Sequence, residues 1–505
     1  MPEGAIMKKS IVAFIVITAV LLASVSCGSG DNKGAQSVDP SEINIQDGDI
    51  PDGISYFSDS DYKDVSSGTC DAVIALSGST GTISDTSRGS SGPEVTVTSK
   101  GVYRVNGSSQ NVTITINDAA ESGNVYLILD NVVMTNSSAP CINVEAADKV
   151  IVFSTGVNTL SCTSSDKEAV IYAKDDITFG GNGSLTIRSA QHGIIGKDDV
   201  KLTGSDIAIN SDLIGIKVNE SFRMGGGKLS ITAGRDGIQV GNSAGNGFFY
   251  LETGILSITS AYDGVSLTSG SESTNGYVLF AGGTANITAG GGHDSPKDPN
   301  VSQKGVKSAG TVSVKGTALT ISSADDAINS SGNVYISKGN VLLDSSDDGI
   351  HADNSLTVSG GTLHVNANGD GLDSNGSIFI KGGMVIVEGP ADNEHGTIDA
   401  GNGEGCVASI TGGTVLALGS AETAINFNSG TQCSALVSIS GPEGTTITAD
   451  DGSGFTWSAA KSFECAVYSS PYMTQGNTYT LTAGSVSVTM DFASDLYYSN
   501  VESGQ

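Results

Sequence analysis

From about residue 70 onward the apolar residues avoid helical spacing and alternate with polar ones in short runs, such as "SLTV" (355–358), "TLHV" (362–365) and "LDSN" (372–375). Each run predicts a short strand, and the Gly, Ser and Asn between runs predict turns. A small residue followed by an aliphatic one recurs at Gly193-Ile194, Gly215-Ile216, Gly237-Ile238, Gly264-Val265, Gly305-Val306, Ala327-Ile328, Gly349-Ile350, Gly371-Leu372 and Ala424-Ile425. From 193 to 237 and from 305 to 371 the step is 22 residues. A second marker holds the same register, a glycine pair ahead of an alternating strand: "GGGKLSI" (225–231), "GGTANI" (282–287), "GGTLHV" (360–365), "GGMVIV" (382–387) and "GGTVLAL" (412–418).

Three strands in about 22 residues cannot bury an inward face within one unit, but units stacked in series can. The pattern therefore predicts an all-β chain folded as a parallel β-helix, with three short strands per coil and a rise of about 4.8 Å between coils. A β-sandwich is the competing fold, yet it has no reason to keep one residue type at a fixed step. The 68 glycines exclude extensive helix. The β-helix is expected over residues 68–440. Residues 441–505 lose the period, gain aromatics including Trp457, and read as final coils and a cap over open strand edges.

The N-terminus differs in kind. "MKKSIVAFIVITAVLLASVSC" has a basic start, an apolar run and small residues before Cys27, the pattern of an export signal over residues 1–27. The run is shorter than the roughly 20 residues of a membrane span. "SVSC" resembles a bacterial lipobox, with Ser24 where that motif usually has Leu, and makes Cys27 the expected lipidation site. Residues 28–67 are rich in Gly, Ser, Asp and Pro and read as a flexible tether. The expected protein is exported, monomeric, and joined to the cell envelope or surface only through its lipid. Six further cysteines (Cys70, Cys141, Cys162, Cys406, Cys433, Cys465) are either paired or buried thiols, and none has zinc-site spacing.

The formal charge of −30 argues against nucleic acid as a partner and in favour of cations. In a β-helix, residues one period apart lie above one another. One ladder then runs Lys304, Asp326, Asp348, Asp370, and its neighbour Gln303, Asp325, Asp347, Gly369. Two outward ladders run Lys307, Asn329, His351, Asp373 and Ala309, Ser331, Asp353, Asn375. Two carboxylates about 5 Å apart repel by roughly 3 kcal/mol at an effective dielectric near 20. A divalent cation would offset such repulsion, and Ca²⁺ accepts six to eight oxygens with tolerant geometry. Asp also marks turns, which accounts for Asp236 and Asp263 better than for the doublets at 325–326 and 347–348. Upstream, "KDDI" (174–177) and "KDDV" (197–200) read as ion-paired turns, with a second metal site as the alternative.

The motifs "KGVKS", "DDAI", "DDGIHAD" and "GDGLDSNG" within residues 303–383 resemble a bacterial carbohydrate-binding parallel β-helix lipoprotein family, founded on a clostridial cellulose- and acid-sugar-binding surface protein. The likeness extends over about residues 70–500. It implies a right-handed helix, bound calcium, a cell-surface location and similarity to polysaccharide lyases acting on pectate. The expected function is calcium-dependent binding of acidic or cellulosic polysaccharide. Asp325, Asp326, Asp347, Asp348, Asp353, Asp370 and Asp373 are the expected metal ligands, and Lys304, Lys307, Asn329, His351 and Asn375 the expected sugar contacts. His351 reads as an outward polar group rather than a zinc ligand. Two alternatives stand beside binding. One is a calcium-dependent lyase with Lys307, or else Lys304, as the base. The other is a stalk or adhesin stiffened by calcium. Residues 293–303 interrupt the period beside the acids, as a specificity loop or a plain surface loop.

Overall fold

A computed structural model describes residues 54–121, 123–241, 247–268, 276–392 and 394–501. The aliphatic period closes into a parallel β-helix of about 11 turns, and no α-helix occurs among the described residues. One coil consists of Ser355–Val358, Thr362–Ala367 and Leu372–Ser374. Its three strands pair in parallel with their counterparts one coil away, as in Val334↔Leu356↔Ile378, Leu343↔Val365↔Val387 and Ile328↔Ile350↔Leu372. First and second strands belong to one large sheet, whereas the third strands form a separate 14-stranded sheet.

In several coils the first two strands run together as one bent strand, such as Asn333–Ser345. The bend falls at a single glycine there, Gly339, and at a glycine pair in Ser377–Glu388, and the pairing register slips at these points, as between Ile380 and Met384. The second glycine of each pair is left-handed, with φ of 81° at Gly361 and 89° at Gly383. A Cβ on Gly361 would also lie 2.8 Å from the Gly339 carbonyl oxygen beneath it. Only glycine meets both demands.

The small residue before each aliphatic has another origin. A Cβ on Gly349 would collide with the Val365 side chain and approach the Gly371 carbonyl oxygen to 2.5 Å. The position is small because core and backbone converge on it. The aliphatic that follows forms an inward ladder from Ile194 through Ile238, Val306 and Ile350 to Ile398. Ile425, expected as its last member, lies in no strand and is 37% exposed. The regular stacking has ended by then, because Phe463–Ser469 runs antiparallel along Ala408–Gly419.

Both ends of the cylinder are closed by reversed pairing, which removes open edges. At the start, Ala72–Gly78 and Thr80–Ile83 form a hairpin. At the far end a four-stranded antiparallel sheet packs on the outward-facing Ile386, Leu416 and Leu418. Residues 54–66, the end of the stretch read as a tether, already lie on the cylinder. Tyr56 stacks on Tyr250 with ring centres 3.6 Å apart, and buried Asp61 pairs with Lys149 at 3.0 Å. The signal and Cys27 lie outside the described residues. The other six cysteines are thiols.

Candidate functional site

From Ile216–Val218 to Leu372–Ser374 each third strand is three residues long and buried on both sides of its middle residue, as in Val306–Ser308 and Ile328–Ser330; earlier ones such as Ala169–Ala173 have five residues. Only the middle side chain faces out, so stacking builds a single outward column. It runs Tyr172, Ile195, Lys217, Gln239, Ser266, Lys307, Asn329, His351, Asp373, Asp399. The ladder of Lys307, Asn329, His351 and Asp373 read from the period is therefore present.

The corner before this strand carries a second column. Each of its acids uses one oxygen to accept a backbone N–H from the next coil: Asp236 from Asp263 (3.3 Å), Asp263 from Lys304 (2.9 Å), Asp326 from Asp348 (3.4 Å), Asp348 from Asp370 (2.8 Å) and Asp370 from Gly396 (2.5 Å). The other oxygen reaches toward the outward column. Asp236 accepts from Gln239 at 2.9 Å, and Asp326 from Asn329 at 2.8 Å. One carboxylate thus both stitches a turn to the next coil and faces the outward column. Asp236 and Asp263 belong to the same column as the doublets, although their spacing from Asp326 hid this.

The acids gather in two groups. In the first, the oxygens of Asp325, Asp326 and Asp347 lie within 4.8 Å of one another. Lys304 stands 2.9 Å from Asp325 and 2.5 Å from Asp326. Lys297 stands 2.8 Å from Asp325 and also pairs with Asp347. Burial alone would raise the Asp325 carboxyl, but the hydrogen bonds from Lys297 and Lys304 outweigh it and hold it at about 2. Lys304 is buried, which disfavours its charge, yet Asp326 and Asp325 push it above the usual lysine range. Lys297 belongs to the interrupting loop, which has no period to align it with the acids.

The second group is Asp348, His351 and Asp373, again with ligand atoms within 4.8 Å of one another. Asp370 and Asp399 adjoin it. His351 hydrogen-bonds Asp373, lies 3.2 Å from Asp353 and 3.8 Å from Asp348, and its imidazole is pushed up to about 9, chiefly by the bond to Asp373. Asp348 is pushed up to about 7, first by burial and then by the charge of Asp326. Burial also raises Asp370 and Asp399, with neighbouring carboxylates adding to it. The imidazoles of His351 and His395 here face four carboxylates, His395 through Asp370 and Asp348, whereas two ammonium groups serve the three carboxylates of the first. Asp353 lies at the exposed edge, accepting from Asn375 at 3.0 Å.

These geometries test the fit of a calcium ion. The seven expected ligands do not form one cage. Asp325, Asp326 and Asp347 already hold two ammonium groups, and a cation would have to displace them. Asp348, Asp370, Asp373 and Asp399 supply oxygens without matching positive charge, the donor type calcium takes. His351 adds a nitrogen that calcium does not require.

Upstream, Asp176 and Asp199 are neutralised by Lys201 (2.7 and 3.1 Å), and Asp199 also by Arg223 (2.6 Å). The lysines of "KDDI" and "KDDV" point elsewhere, Lys174 to Glu145 and Lys197 toward Tyr172. Two shallow grooves lie along the outward column. One of about 310 Å³ is lined by Ser266, Lys307, Asn329 and Ser331, and one of about 300 Å³ by Asp399, Asn402, Asn426 and Asn428. Larger grooves, of about 790 Å³ near Arg88 and about 480 Å³ near Arg188, stand apart from the acid columns.

A family profile described as carbohydrate-binding domain-containing protein matches residues 91–349 and 345–500. The chain belongs to this carbohydrate-binding family. A carbohydrate-binding domain-containing protein of Acetivibrio thermocellus is 31% identical over 130 residues, which are 23% of this chain and 45% of the relative. The match thus spans less than half the length of that relative. The solved structure of a polysaccharide lyase-like protein from C. thermocellum, a gadolinium derivative, aligns over 52% of this chain and 96% of its own, with 23% identity and a TM-score of 0.38.

Proposed function

We propose that this carbohydrate-binding protein holds an acidic polysaccharide along the outer face of the third sheet. In this reading a calcium ion at Asp348, Asp370, Asp373 and Asp399 bridges the protein to uronate carboxylates. The observation that carries it is the stack of four carboxylates on adjacent coils, outnumbering the imidazoles of His351 and His395 that face them. Such a stack is destabilising unless a proton or a cation joins it. Lys307 and Asn329 are the direct sugar contacts of the adjoining groove, with Asn375 a further contact beside Asp353. Export, a lipid on Cys27 and a surface location belong to the same proposal, and rest on the N-terminal sequence pattern.

Elimination chemistry has weaker support. Lys304 is a doubly paired ammonium and a poor base, and Lys307 donates to Ser302 at 3.3 Å and lies 4.0 Å from the Asp263 carboxylate, partners suited to an ammonium rather than a free amine. The test is titration of oligogalacturonate into the full chain with calcium and with chelator. Calcium should tighten binding by about tenfold or more, equivalent to about 1.4 kcal/mol, and chelator or Asp348→Asn/Asp373→Asn should remove that gain. Equal affinity in calcium and chelator would overturn the bridge.

A further inference from the structure

On the N-terminal side of Lys307 the outward column changes sign. Lys217 stands two coils beyond Tyr172 in the stacked register. The Tyr172 ring is flanked by the ammonium groups of Lys167 and Lys197, 5.4 and 5.9 Å from its centre. The Arg235 guanidinium lies 6.0 Å from the Tyr262 ring. Arg235 sits at the adjoining corner, its N–H on the Leu213 carbonyl and its own carbonyl accepting from Tyr262. Lys217 and Arg235 share one neighbourhood: burial lowers the His192 pKa, and the charges of both lower it further, against Glu168. Among the described residues no ion pair engages Lys197, Lys217 or Arg235. The strip from Tyr172 to Tyr262 covers four coil steps, roughly 19 Å at about 4.8 Å each.

We infer that this strip is a metal-independent subsite for the anionic groups of a polysaccharide, collinear with the acids at Asp348–Asp399. The identity of the occupant rests on the proposed function; the place and the mode of binding do not. Cations held against aromatic rings lose little further freedom on pairing with a ligand. A guanidinium also matches a carboxylate in two parallel hydrogen bonds. The net charge of the molecule does not forbid this, because at physiological salt fields fade over about 8 Å. An acidic sugar chain fits such a strip better than a duplex nucleic acid, whose denser charge meets the full acidity of the protein.

The experiment measures polygalacturonate affinity of the full chain in chelator, for wild type, Lys217→Gln/Arg235→Gln, and a charge-matched control, Arg188→Gln/Lys228→Gln, on another face. Wild type and control should bind in chelator, added salt should weaken that binding, and the strip variant should lose about tenfold or more with its melting temperature unchanged. Absence of wild-type binding in chelator, with calcium-dependent binding intact, would overturn the strip and leave the bridge standing. Equal loss in the control, or competition by DNA as strong as by polygalacturonate, would also overturn it. Binding in chelator that is sensitive to the strip variant, with no gain from calcium, would support the strip and sink the bridge.

Discussion

At the residue scale the molecule separates two kinds of aspartate by what faces them. Asp325 and Asp326 are nearly inaccessible and tied to Lys304; Lys304→Ala leaves Lys297 on Asp325 but strips buried Asp326 of its ammonium partner, and should destabilise the protein by about 3 kcal/mol or more. Lys307 lies on a groove with its nearest carboxylate 4.0 Å away, and Lys307→Ala should change stability by less than about 1 kcal/mol. Urea unfolding of both variants checks the contrast. The ladders of Asp326, Asp348 and Asp370 and of His351 and Asp373 were legible in the sequence because one period governs them. Lys297 was not, since a loop side chain reaches the acids through space rather than through register. Nor were Asp236 and Asp263, because insertions stretch the steps around them to 27 and 41 residues.

At the element scale the controlling fact is how tightly the third strand packs on the second. The glycines at 305, 349 and 371 lie against Ile321, Val365 and Val387, all branched at Cβ. Ala327 occupies the same ladder position, and there the equivalent second-strand residue is Leu343, which is unbranched at Cβ. Gly349→Ala should therefore cost about 1–3 kcal/mol, and Val365→Leu in the same chain should recover part of it. Chemical denaturation of the single and double variants decides this; a neutral Gly349→Ala would refute the packing explanation. The recurring small–aliphatic pair was visible in the sequence, and the physical cause of its smallness was not. That cause is a facing side chain 16 residues away. The merging of first and second strands was equally hidden, because a glycine pair reads as a turn between two strands as readily as a bend within one.

At the scale of the whole molecule, charge is distributed along the cylinder rather than spread over it. Lys217 in the outward column, with Lys197 and Arg235 beside it, marks the N-terminal part, and Asp373 and Asp399 hold the C-terminal part. Several folded-state carboxyls are raised: Asp236 to about 6 and Asp198 and Asp348 to about 7, each first by burial. A raised carboxyl binds its proton more tightly in the folded than in the unfolded chain, so its stabilising effect is complete below about pH 4 and lost as pH rises through the folded value. Metal-free protein should accordingly lose thermal stability between about pH 4 and 7. Calcium should flatten that decline, and Asp348→Asn should reduce it without metal. Thermal melts across this range read all three effects.

The measurement closest to the central claim is calorimetric titration of calcium into the metal-free full chain, wild type against Asp348→Asn/Asp373→Asn. Saturable uptake by wild type, abolished in the variant while Asp325→Asn retains it, is the predicted result. No uptake by wild type, or uptake unchanged in the Asp348→Asn/Asp373→Asn variant, would contradict a cation site on the stacked acids.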